Sequence, residues 1–114
     1  MGDFQITVVG LDEAINKLKT LAEKLPNETD AIIEDGAEKM FGDSQQLCPV
    51  DTGTLLASGS HTHSFLMSTI GYSAPYAGYV EFGTSRMDAQ PYLSPAIEQN
   101  VDYIIKRIEQ LAHG

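Results

Sequence analysis

Cys48-Pro-Val-Asp-Thr-Gly-Thr-Leu-Leu-Ala-Ser58 is the stretch on which the fold turns. It holds Asp51-Thr52-Gly53, the tripeptide that carries the catalytic carboxylate of aspartic proteases, which are almost entirely β. Such a site needs two carboxylates sharing one proton, so a chain with a single Asp-Thr-Gly would have to dimerise to build it. The flanking residues oppose that reading. In those enzymes the motif follows an apolar strand, whereas here it follows Pro49 at the end of a helical pattern, and the rest of the chain is largely helical. A turn accounts for the residues better. Pro49 ends the helix, Asp51 bonds backbone amides two residues on, and Gly53 takes a conformation closed to other residues. Pro49, Asp51, Thr52 and Gly53 therefore read as a structural turn, after which Leu55 and Leu56 enter a sheet.

Outward from the turn, the apolar periodicity changes from segment to segment. Phe4, Ile6 and Val8 alternate with Gln5 and Thr7, the pattern of a half-buried strand. Leu11, Ala14, Ile15, Leu18, Leu21, Ala22 and Leu25 then follow helical spacing, with Asp12 as a cap and Pro26 as the stop. A second helix runs from Pro26 or Asn27 to Gln46 or Leu47 on a stripe of Ile33, Ala37, Met40 and Phe41. Gly36 and Gly42 weaken it by about 1 kcal/mol each relative to alanine, so close packing or a bend is expected there. Its other face, with Glu28, Asp30, Glu34, Asp35 and Glu38, reads as solvated. Thr54–Phe65 and Ser68–Tyr72 form a hairpin turning near Leu66 and Met67. Ser73–Gly83 fits a short helix with Gly83 as its C-cap, Thr84–Gln90 is a loop, and a strong helix starts at Ser94 or Pro95. The expected fold is α+β: a small antiparallel sheet of about four strands packed against two long helices, plus a C-terminal helix and one short helix. Residues 1–114 read as a single domain.

The composition excludes several function classes. With 114 residues the chain can bury roughly two-thirds of its extended surface, enough for a modest core. No apolar run approaches the ~20 residues of a membrane span, and no leader pattern opens the chain, so no membrane association is expected. A net charge of -9 leaves no basic footprint for phosphates, so direct sequence-specific nucleic-acid binding is not expected. Cys48 is the single cysteine, so it has no disulfide partner within the chain and no thiolate cluster. His61 and His63 share a strand face but lack a third ligand, and they read as solvent-facing rather than metal-binding. No Gly-x-Ser-x-Gly or phosphate loop is present, and nothing lowers the Cys48 thiol pKa, so no catalytic residue, cofactor or metal is assigned.

Three ordered segments carry a resemblance: Pro49-Val-Asp-Thr-Gly-Thr-Leu55 with Ser58, Tyr76-Ala-Gly-Tyr-Val-Glu-Phe-Gly-Thr84, and Met87, Ala89, Pro91-Tyr92-Leu93, Pro95-Ala96. Together they resemble the tail-component family of long-tailed bacteriophages and prophages, whose members are neck, head-tail joining or tail-completion proteins. Tyr92 stands where Phe is the more usual residue. The resemblance implies a non-enzymatic virion structural protein, made in the host cytoplasm and assembled as a hexameric ring where the tail top meets the head. Its partners would be copies of itself and other neck, tail-tube or connector proteins.

If they lie on a short exposed element, Tyr76, Tyr79 and Phe82 supply the aromatic anchors that interfaces favour; the other reading makes Tyr79, Val80 and Phe82 core residues that pack the short helix onto the sheet. Glu81 and Arg86 are expected to pair across a subunit boundary, with Gly83, Thr84 and Met87 completing the surface. Glu81→Ala or Arg86→Ala is then expected to impair assembly and leave the monomer folded. Two readings of other classes stay open: a small acidic regulator or inhibitor that binds a basic protein, and a dimeric hydrolase built on Asp51.

Overall fold

The computed structural model describes residues 11–49 and 53–113. In chain order it contains α1 (Leu11–Lys24), α2 (Pro26–Leu47), α3 (Thr54–Ala57), β1 (Gly59–Ser64), β2 (Met67–Tyr72), α4 (Ala77–Phe82) and α5 (Ser94–His113). The strand read over Phe4–Val9, together with Asp51 and Thr52 of the turn, lies outside the described residues.

Helices α1, α2 and α5 enclose the first core, where Leu21, Ile32, Ile104 and Ile108 are buried and Leu18, Leu25 and Met40 pack on them. The break between α1 and α2 follows from Pro26. A residue before proline is pushed out of the helical region, and Leu25 sits at φ -134°, ψ 67°. The corner stays bonded, because the Leu25 carbonyl accepts both the Thr29 N–H, at 3.0 Å, and the Thr29 hydroxyl, at 2.7 Å.

Gly36 explains how closely α2 and α5 approach. A Cβ built on it would lie 2.7 Å from Ile104 Cδ1, so the isoleucine occupies the space a side chain would need. Gly42 has no such reason, since a Cβ there meets nothing within 4 Å. Polar contacts flank the apolar seam. Asn100 Nδ2 donates to Asp43 Oδ2 at 2.8 Å, Arg107 Nη1 donates to Asp35 Oδ2 at 2.6 Å, and the Tyr103 hydroxyl also donates to Asp35. Asp30 and Asp35 are thus bonded within the chain, which corrects the reading of a wholly solvated acidic face.

The sheet is also corrected. Among the described residues it has two strands, β1 paired antiparallel with β2, beside five helices, not about four strands. Leu55 and Leu56 do not enter it; they form α3. Gly53 adopts φ +76° and starts that turn, and the Ser58 hydroxyl closes it by donating to the Leu55 carbonyl at 2.8 Å. Leu55 is therefore buried from a helix, in a second core with Cys48, Tyr72, Ala74, Ala77, Tyr92 and Leu93.

The hairpin lies along α2. His61 pairs with Ile70 and His63 with Ser68, and their side chains face the helix, not solvent as expected. Gln45 Nε2 donates to the Tyr72 hydroxyl at 2.8 Å. Because the Ser44 hydroxyl donates to the Phe41 carbonyl, Tyr72 donates in turn to Ser44 Oγ, at 2.7 Å. At the other end of the hairpin, Asp30 Oδ1 accepts the Leu66 N–H at 2.7 Å and meets His63 Nε2 at 2.8 Å.

The Leu66 N–H, and after it the His63 hydrogen bond and charge, hold the Asp30 carboxyl below the usual carboxylate range against the opposing effect of burial. A group depressed on folding stabilises above its ordinary pKa, near about 4, and loses that contribution as pH falls through the folded value. Asp30→Asn should therefore unfold at a lower temperature than the wild type at pH 7. The gap should narrow below about pH 4, as followed by circular dichroism melts across pH.

Candidate functional site

The segments singled out by motif meet at one end of the molecule. Pro49, just past α2, Leu55 on α3, Tyr76 and Val80 at α4, and Met87 and Gln90 beyond it line an open, predominantly apolar groove. Tyr79 and Phe82, three residues apart on α4, stand outside it, 47% and 53% exposed. Val80 turns the other way and packs against the second core. Arg86 is exposed in a tight turn where Thr84 bridges to Met87, and its N–H donates to the Thr84 hydroxyl at 3.1 Å.

Gly83 has a definite requirement for glycine. It lies at φ +78°, ψ 175°, a region almost closed to other residues. A Cβ there would come within 2.8 Å of the Ala89 nitrogen. The loop therefore folds back tightly over the end of α4, and the Gln90 N–H donates to the Val80 carbonyl at 2.8 Å.

Glu81 is placed differently from the expectation. It is only 2% exposed and points inward. Oε1 accepts the N–H groups of Tyr92 at 3.0 Å and Leu93 at 2.8 Å, while Oε2 accepts the Ser94 hydroxyl at 2.6 Å and the Ser94 N–H at 3.3 Å. The carboxylate thus caps the start of α5, where unpaired N–H groups and the helix dipole favour a negative charge. Pairing with Arg86 across a subunit boundary is corrected: the lone pairs of Glu81 are directed to its own chain. A carboxylate among apolar neighbours needs a partner, and here it is chiefly backbone. The sequence offers Ser94 as a cap ahead of Pro95, so nothing near the start of the helix signals that Glu81 supplies one.

Tyr92 completes the support. Fully buried, it donates its hydroxyl to the Ala77 carbonyl at 3.0 Å and sets its ring edge-on to Tyr72 with centroids 4.8 Å apart. Burial, and then the Glu81 charge, push its phenol pKa up, so it remains a donor. The Cys48 thiol pKa is likewise raised by burial, the opposite of what a nucleophile needs. Among the described residues, no group of three or more His, Cys, Asp or Glu could hold a metal ion, and no helix is long and apolar enough to cross a membrane.

Removing the Glu81 carboxylate leaves buried N–H groups unpaired at the start of α5. Glu81→Ala should destabilise the fold by about 3–5 kcal/mol, read as a loss of helical signal at lower denaturant. Glu81→Gln, which keeps one acceptor oxygen, should lie between Glu81→Ala and the wild type. A Glu81→Ala monomer as stable as the wild type would return this residue to the surface.

Residues 12–83 match the model of the HK97-gp10-like family, bacteriophage HK97-gp10 tail components. The match covers more than half the chain and ends at Gly83, so it includes the turn and α4 but not the loop through Met87. No curated protein and no solved structure matches the chain. The family sets the protein among the tail and neck components of phage assembly, with a virion-associated role. The chain belongs to the HK97-gp10-like family of bacteriophage tail components and is a non-enzymatic structural protein of the virion, at the head-tail junction.

Proposed function

We propose that the protein acts by assembling as a closed ring, hexameric in this reading, that completes the tail or presents the surface to which the filled head docks. Family membership carries this proposal. The described surface supports it: the end of the molecule around α4 leaves Tyr76, Tyr79, Phe82 and Met87 exposed, a density of large apolar side chains that favours contact with protein rather than water. Tyr76, Tyr79, Phe82, Thr84, Arg86 and Met87 are the proposed contact residues. Glu81 and Gly83 shape that surface from beneath, one by holding the start of α5 and the other by permitting the tight loop.

Acidity fits the same role. A net charge of -9 keeps the free subunits apart and soluble, and it would repel a polyanion passing through a ring.

Native mass spectrometry and light scattering over a range of concentrations, with and without tail tubes, test the proposal. The mass should rise in steps to one closed species. Replacing Tyr79 and Phe82 together by alanine should weaken association by roughly 10- to 100-fold with an unchanged circular dichroism spectrum. A protein that stays monomeric under all these conditions would sink the ring.

A further inference from the structure

We propose that the hairpin tip Phe65-Leu66-Met67 of one copy seats in the groove between α3 and α4 of the next, forming a head-to-tail contact. This inference rests on the ring reading and specifies which surfaces meet.

The tip has the character of a preformed apolar knob. Two-residue hairpin turns ordinarily use Asn and Gly. Here they are Phe65 and Leu66, and Leu66 adopts φ +61°, a left-handed conformation that is costly for a leucine. The conformation is stabilised from α2, where Asp30 Oδ1 accepts the Leu66 N–H at 2.7 Å and pairs with His63 at 2.8 Å. Held this way, Phe65 and Met67 are each 60% exposed.

Knob and groove lie at opposite ends of α2. The knob is tied to Asp30, near the start of the helix, and the groove opens at Pro49, just past its end. At 1.5 Å per residue the intervening helix is about 26 Å long. The tip therefore cannot fill its own groove. Two different patches at opposite ends make a heterologous contact, which propagates from copy to copy and closes when the rotation permits.

Charge supports a second copy as the occupant. Every one of the 7 Lys and Arg and 16 Asp and Glu side chains lies outside residues 52–80, so α3, Tyr76 and Val80 carry none, and the carboxylate that meets the knob, Asp30, is already engaged by His63 and the Leu66 N–H. The remaining groove residues Pro49, Met87 and Gln90 are uncharged too. In a chain of net charge -9, these patches are low in carboxylates, and Asp30 beside the knob is paired within its own chain, so two copies can meet there with less repulsion than elsewhere.

A complementation experiment decides the matter. Met67→Asp places a charge on the knob and Met87→Asp places one in the groove; both methionines are exposed, so the fold, checked by circular dichroism, should persist. Each variant alone should associate at least about 100-fold more weakly than the wild type, because a carboxylate would be buried unpaired. Mixed in equal amounts they should form dimers and stop there, since only one intact knob and one intact groove remain per pair. Variants that assemble like the wild type, or a mixture that stays monomeric, would overturn the contact while leaving the ring intact. A wild type that never assembles, even with tail tubes, would overturn both. If either variant loses its folded signal, Phe65→Asp and Gln90→Asp are the replacement pair, read in the same way.

Discussion

The Glu81 carboxylate accepts three backbone N–H groups and a serine hydroxyl from the start of α5, and the arrangement of the groove end follows from that contact. A carboxylate excluded from water is strongly unfavourable unless its lone pairs are matched, and here donors and a helix N-terminus converge on it. Once the start of α5 is tied to α4, Tyr92 is held where its hydroxyl reaches Ala77 and its ring meets Tyr72 edge-on. Tyr72 then bonds Ser44 and Gln45 on α2. One buried charge and two tyrosines thus connect four elements, and the walls of the groove are fixed by the same connections.

That internal bonding also determines what remains for partners. Glu81, Tyr72 and Tyr92 have their polar atoms directed inward, while Tyr76, Tyr79, Phe82 and Met87 remain at the surface. The apolar surface rests on elements that are too short to be stable alone: α4 has six residues and α3 has four. Their order comes from the core beneath and from the tight loop at Gly83, so residues that touch no partner still govern the contact surface. A contact surface held in place this way loses less conformational freedom when a partner binds.

Much of this is legible in the amino-acid sequence. The bounds of α1, α2 and α5 followed from helical periodicity and from Pro26, Pro49 and Pro95 as punctuation, because such signals depend on local sterics. The left-handed conformation of Gly53 and the short helix ending at Gly83 were legible for the same reason. The sheet was misjudged at Leu55-Leu56, where two apolar residues between small polar ones fit a strand or a helical turn equally well. His61 and His63 were read as solvent-facing, since alternation reveals two faces but not which of them a distant helix will cover.

The helices, the turn chemistry and the motifs shared with the family are encoded locally, in residues a few positions apart. The direction of Glu81, the side of the hairpin that meets α2, and the groove lined by Pro49, Tyr76 and Met87 are not. Those outcomes depend on pairings between residues 11 to 38 positions apart, such as Glu81 with Tyr92 and Pro49 with Met87. Such pairings are selected by packing of the whole chain, because a buried charge or an apolar wall is stabilised only when its distant complement is in place.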